Sequence, residues 1–266
     1  MTQTAVLLCG HGSRDPEAIR EFELAAAALR ACLPEFDFAT GFLEFARPTI
    51  RDGLTALAAQ GARQILAIPA MLFAASHVKN DLPREMNSFV AGNPAIDVRL
   101  GRDLANDPGL LRAAADRIAD AAPDPAIPRG KTLLVVVGRG ASDPDANANF
   151  SELARMLGEE LGFGWTEAAF SSVAHPRVDA ALTRAARMGF RRIIVFPYFL
   201  FTGVLVKRIY AQSDAVACLF PEIEFVKARY LRDHPAVLDA FHDRVREVHD
   251  GLRGIGIDPA PQNHQR

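Results

Sequence analysis

The chain has 266 residues, 49% of them hydrophobic and 23% charged, with 30 Lys plus Arg against 32 Asp plus Glu. The formal net charge of −2 excludes the basic surplus of a general nucleic-acid binder, and no run of about 18 apolar residues is present to span a membrane. Cys9, Cys32 and Cys218 are scattered with no CxxC pair, which disfavours a disulfide scaffold, a zinc ribbon and a cysteine-bound iron–sulfur cluster.

The first residues carry no basic leader and read directly as a strand rather than as a signal peptide, so a reduced, cytoplasmic protein is expected. Ala5 to Cys9 is a short β-run closed by Gly10. Asp15-Pro16 then predicts a helix start, a capping carboxylate before a proline in the first turn. Ile19, Phe22, Ala26, Leu29 and Leu33 follow at helical spacing. Ile65 to Ile68 predicts a second strand, left at Pro69 because proline is disfavoured inside a central strand. Asp81-Leu82-Pro83 reads as another helix start. Strands alternating with helices predict βαβ units and an α/β fold with a mainly parallel sheet.

The second half repeats the first. Gly10-His11-Gly12-Ser13-Arg14-Asp15-Pro16 aligns with Gly138-Arg139-Gly140-Ala141-Ser142-Asp143-Pro144 at an offset of 128 (138 − 10). The same offset relates Arg47-Pro48 to His175-Pro176, Pro69 to Pro197, Phe73 to Phe201 and Lys79 to Lys207. This predicts two tandem parallel-sheet α/β lobes, residues 1–121 and 131–250, joined by the proline-rich Ala122 to Gly130 and followed by a flexible tail, 251–266. Two such lobes are expected to be related by a pseudo-twofold axis with a cleft between them.

The informative feature is what the copies do not share. The loops after the first and third strands lie at the carboxyl ends of a parallel sheet, where ligands of open α/β sheets bind. The first copy has His11 and His77 there; the second has Arg139 and Leu205. A purely structural role would more naturally be kept in both copies. Imidazole is a good ligand for divalent transition metals and a proton acceptor near neutral pH. With Glu44 as a possible carboxylate, the two histidines would make an open site of the kind that exchanges ligands, where a closed site holds its metal. The plain alternative is that each histidine caps a helix or satisfies a turn. Trp165 and Cys9, in apolar strands, read as core. His234, before a helix start, reads as a turn residue, and His242, His249 and His264 read as exposed.

Gly10-His11-Gly12-Ser13-Arg14, the stretch Phe42 to Ile50, and Ile68 to Phe73 running into His77 and Asp81-Leu82-Pro83 resemble the class II tetrapyrrole chelatases, nearest the CbiX-type sirohydrochlorin cobaltochelatases in their long, two-repeat form. The sirohydrochlorin ferrochelatases of sirohaem synthesis are similar. The resemblance covers roughly residues 4 to 245. It implies ATP-independent insertion of Co²⁺, or of Fe²⁺ or Ni²⁺, into sirohydrochlorin, in cobalamin biosynthesis for cobalt. No cofactor would be permanently bound; the metal is a substrate. It implies that His11 is proton acceptor and metal ligand, that His77 is the second metal ligand, and that Leu72, Phe73, Ala74, Ala75 and Ser76 border the macrocycle. Glu44 matches a recurring acidic position with a proton or metal role. Arg47 stands where the family often has Glu, so that substrate contact is changed in sign.

The chemistry agrees from below. Insertion removes pyrrole N–H protons and needs no phosphate, and no GxxxxGK[ST] loop is present. A flat apolar ring wants an apolar slot, for which Leu72, Phe73, Phe199, Leu200 and Phe201 are candidates, ordinary core packing being the alternative. A substrate rich in carboxylates wants local cations in a nearly neutral chain. Arg14, Arg47, Lys79, Arg139, Arg177, Lys207 and Arg208 are the candidates, Ser13 would either cap the helix or donate a bond to a carboxylate, and Arg139 is expected to face His11 across the cleft. The two-repeat form points to a functional monomer, with a homodimer open, and to no nucleic-acid or membrane partner. Two rival readings remain: a non-catalytic carrier of metal or tetrapyrrole, and a histidine phosphatase. The phosphatase motif has Arg directly before its His, where this chain has Gly10.

Overall fold

The computed structural model describes residues 3–122, 126–251 and 255–256, the side chains of His77 and Ile255 excepted. The chain alternates strands and helices throughout. In the first repeat β1 (Thr4–Gly10), α1 (Pro16–Cys32), β2 (Asp37–Phe42), α2 (Ile50–Ala59), β3 (Gln64–Pro69), α3 (Leu82–Gly92), β4 (Asp97–Leu100) and α4 (Pro108–Ala121) follow in order. The second repeat runs β5 (Thr132–Gly138), α5 (Pro144–Leu161), β6 (Trp165–Phe170), α6 (Val178–Ala186), β7 (Arg192–Pro197), α7 (Val204–Ala217), β8 (Glu224–Lys227) and α8 (Pro235–His249).

Each repeat builds a parallel sheet in the same order, β2-β1-β3-β4 and β6-β5-β7-β8. The central strands β1, β3, β5 and β7 are buried almost end to end, which is why they read as unbroken apolar runs rather than alternating ones. β3 ends at Pro69, as expected. Asp15 caps α1 by accepting from the Glu17 amide, with Pro16 at the first turn, and Ala18, Phe22, Ala26 and Leu29 form its buried stripe. Asp143 caps α5 in the same way.

Two expectations change. Trp165 is 52% exposed rather than core, because it opens β6, the edge strand of its sheet. Asp81 does not cap α3. A π-helical turn, His77–Asp81, runs straight into that helix and leaves no start for a side chain to cap. The tail beyond Gly251 lies mostly outside the described residues, but Ile255–Gly256 form β9, antiparallel to β4. Of the linker, Arg129–Lys131 form a 3₁₀ turn, and residues 123–125 lie outside the description.

The compact units also differ from the lobes 1–121 and 131–250. One unit holds the chain to Leu104 and from Leu238 onward; the other holds Ala105–Val237. α4 therefore packs on α5 and β7 of the second unit. The closing helix α8 joins the first, where Arg244 donates to the Asp103 and Leu104 carbonyls and Glu247 receives both Arg102 and Arg244. Hydrophobic periodicity marks a buried face, not which core it enters.

Candidate active site

In the first unit the strand order reverses direction between β1 and β3, the kind of switch point at whose carboxyl end open α/β sheets bind their ligands. The loop after β1 carries His11; the loop after β3 runs from Ala70 to the π-helical turn that His77 opens. The loop after β2 is drawn against the first by a backbone zipper. The Leu43 amide donates to the Gly10 carbonyl at 3.0 Å and the Glu44 amide to the His11 carbonyl at 3.1 Å. This approach requires Gly12, whose φ is +91° and whose Cβ would stand 1.7 Å from the Glu44 carbonyl oxygen.

The zipper brings two predicted residues together. His11 Nδ1 lies 3.1 Å from the Gly12 carbonyl, which can only accept, so this contact assigns the proton to Nδ1. His11 Nε2, shielded from solvent, then carries the lone pair, 3.4 Å from Glu44 Oε1. A lone pair facing a carboxylate is unfavourable unless a cation is shared between them, either a proton on Nε2 or a metal ion. In the second repeat the same zipper forms, from the Ser171 and Ser172 amides to the Gly138 and Arg139 carbonyls, but Arg139 and Ser172 stand where His11 and Glu44 do. The scaffold is shared and the chemistry is not.

The remaining candidates divide. Ser13 accepts from the Asp15 amide and so braces the turn before α1 rather than capping the helix itself. Arg14 lies over the Phe45 ring, 4.8 Å from its centroid. Arg47, with its side chain 81% exposed, pairs with Asp52 at 3.2 Å. Leu72, Phe73, Ala74 and Ala75 are half-buried, while Ser76, Lys79, Arg139, Arg177, Lys207 and Arg208 are exposed. Leu200 is core, while Phe199, packed against the core of the second unit, and Phe201 are half-buried. His234 accepts from the Ala236 amide and caps the start of α8. The side chain of His77 lies outside the described residues, and so does its approach to His11. Among the described residues no three His, Cys, Asp or Glu side chains cluster as a metal site.

Two residues escaped the sequence reading. Phe45 is 52% exposed with φ +63°, a conformation bulky residues rarely adopt, and its ring stacks on His11 at 6.3 Å between centroids. Asp103, behind β4, accepts from the Ala74 amide at 2.6 Å, and burial pushes its carboxyl group above the usual range. Its contrast with the second repeat is concealed by a change of offset: β4 and β8 align at 127 (224 − 97), which pairs Asp103 with Tyr230.

Comparison with known proteins agrees with this organisation. Residues 5–121 and 133–248 each match the CbiX family. The chain is 32% identical over 250 residues to a sirohydrochlorin cobaltochelatase of Priestia megaterium, covering 94% of this chain and 80% of that one. It is 30% identical over 247 residues to a sirohydrochlorin ferrochelatase of Bacillus subtilis, covering 92% and 91%. A solved structure of SirB from Bacillus subtilis with Fe³⁺ superposes with a TM-score of 0.83 at 28% identity, over 96% of this chain and all of that one. With both repeats matched in register and the paired α/β fold in place, the chain belongs to the CbiX family.

Proposed function

We propose that this protein is an ATP-independent sirohydrochlorin chelatase that inserts Co²⁺ in cobalamin biosynthesis. The observation that carries the reading is the pairing of His11 Nε2 with Glu44 Oε1 at the carboxyl ends of β1 and β2, in a chain of the CbiX family. The reaction takes a divalent metal ion in and releases two N–H protons from the ring, so charge balances without any other reactant. His11 accepts a proton through Nε2, and Glu44 stabilises the imidazolium that results. The same pair, with His77, holds the incoming metal through few protein ligands, which leaves it exchangeable. The segment from Leu72 to Ser76 borders the ring. The substrate's carboxylates meet Ser13, Arg14, Arg47, Lys79, Arg139 and Lys207, part of the Arg47 charge being taken by Asp52.

The proposal is tested by steady-state insertion with Co²⁺, Fe²⁺ and Ni²⁺ compared under anaerobic conditions. Co²⁺ is expected to give the highest kcat/KM. Preference for Fe²⁺ would move the assignment to the ferrochelatase reaction of the Bacillus subtilis relative, and stoichiometric binding without turnover would make the protein a carrier. His11→Ala is expected to lower kcat by about 10²–10⁴-fold. Arg139→Ala is expected to raise the KM for sirohydrochlorin more than it weakens Co²⁺ binding.

A further inference from the structure

Each of the four parallel strands of the first sheet is followed by a loop carrying a residue whose counterpart in the second repeat differs in chemistry. The pairs are His11 and Arg139, Glu44 and Ser172, His77 and Leu205, and, after β4, Asp103 and Tyr230. The first three belong to the proposed site; Asp103 has no role in it. Its carboxylate accepts from the Ala74 amide at 2.6 Å. The next residue, Ala75, accepts from the Val78 and Lys79 amides and so starts the turn that carries His77. Asp103 is therefore attached to the backbone three residues ahead of His77.

The rest of the neighbourhood is common to both repeats. Arg244, 2% exposed, donates to the Asp103 carbonyl at 3.1 Å and the Leu104 carbonyl at 3.2 Å. Arg117, its counterpart at the same offset of 127 (244 − 117), donates to the Leu231 carbonyl at 3.1 Å. The arginine clamp serves the fold in both units. A carboxylate at this place belongs to the first repeat alone, Tyr230 standing there in the second, and a half-buried carboxylate is costly to keep where only packing is needed.

We propose that Asp103 is a positioning residue that fixes the backbone leading into His77 and thereby sets the affinity of the site for its metal substrate. This rests on the reading of His77 as a metal ligand. Titration calorimetry with Co²⁺ and the full-length protein, without tetrapyrrole, tests it. Asp103→Ala is expected to weaken Co²⁺ binding about tenfold or more, as loss of an outer-shell partner does. Asp103→Asn, whose amide oxygen still accepts from Ala74, is expected to stay within about twofold. In a His77→Ala background Asp103→Ala is expected to change nothing further. In turnover, the KM for Co²⁺ is expected to rise with little change in the KM for sirohydrochlorin. Tyr230→Phe, at the matched place in the second unit, serves as the control. Should Asp103→Ala fail to fold, Asp103→Ser, too short to reach the amide, carries the same expectation.

Amide exchange over residues 74–81 gives a readout independent of metal and is expected to accelerate in Asp103→Ala but not in Asp103→Asn. Unchanged exchange, or an equal loss of Co²⁺ affinity with and without His77, overturns the proposal. Faster exchange in a protein that binds no Co²⁺ even as wild type would instead overturn the reading of the site and leave Asp103 as the anchor of that segment.

Discussion

At the scale of single residues, the site depends on backbone contacts as much as on side chains. Gly12 and Gly140 occupy the same left-handed position, φ +91° and +79°, yet only at Gly12 would a Cβ collide with a carbonyl oxygen; at Gly140 its nearest neighbour is the Ala174 amide at 3.0 Å. Gly140→Ala is therefore expected to cost about 1 kcal/mol and Gly12→Ala more than about 3 kcal/mol, read as a difference in denaturant midpoint. Asp103 gives a pH signature. Its folded-state pKa is raised, first by desolvation, so the folded state holds the proton more tightly than the unfolded chain. Its charge opposes folding at neutral pH, and the penalty disappears as pH falls through the folded pKa. Asp103→Asn is thus expected to be at least as stable as wild type at pH 7, with any advantage vanishing in acid, as thermal melts across pH will show. His11 and His77 were legible from their absence in the other repeat, and Glu44 as a carboxylate matching the chelatase resemblance. Asp103 was not, because the one-residue change of offset before β4 conceals its partner. Phe45 was not, because an exposed aromatic with positive φ has no sequence signature.

At the scale of elements, the two repeats differ in how their helices begin. Thr49 and Asp52 form a reciprocal capping box on α2, whereas α6 starts at Arg177 with no side-chain cap. Thr49→Ala is expected to cost about 1 kcal/mol, seen as a lower Tm. The Thr49 amide holds the Asp52 carboxyl group below its usual range. That contribution is present above the unfolded pKa and fades as pH falls through the folded one, so acid is expected to loosen α2 before α6 in amide exchange. Starts such as Asp15-Pro16 and Asp143-Pro144 were readable because a cap is a local device. Asp81-Leu82-Pro83 misled because a π-helical turn precedes it, and the path of the chain into α3 is set by the loop it leaves.

At the scale of the whole molecule, each repeat closes with a helix that completes the other unit. Arg244 and Glu247 of α8 are tied to Arg102, Asp103 and Leu104 of the first unit. Removing Arg244 would leave the Asp103 and Leu104 carbonyls without their donor and Glu247 with Arg102 alone, at a cost of about 1–3 kcal/mol. Arg117→Ala is expected to cost less, since its partner Asp233 is largely solvated. Truncation at residue 234 removes α8 and is expected to abolish cooperative unfolding of the first unit by circular dichroism, though all eight residues from Ala70 to His77 remain. The sequence by itself determined the α/β class, the tandem repeat and the histidines unique to one copy, because strand runs, cap chemistry and internal comparison are local or linear signals. Only the tertiary structure decided that Glu44 meets His11, that Asp103 holds the segment before His77 and that α4 and α8 change units. Those contacts join residues from 29 to 145 positions apart, and such pairings are set by packing and strand order, which no periodicity in the chain records.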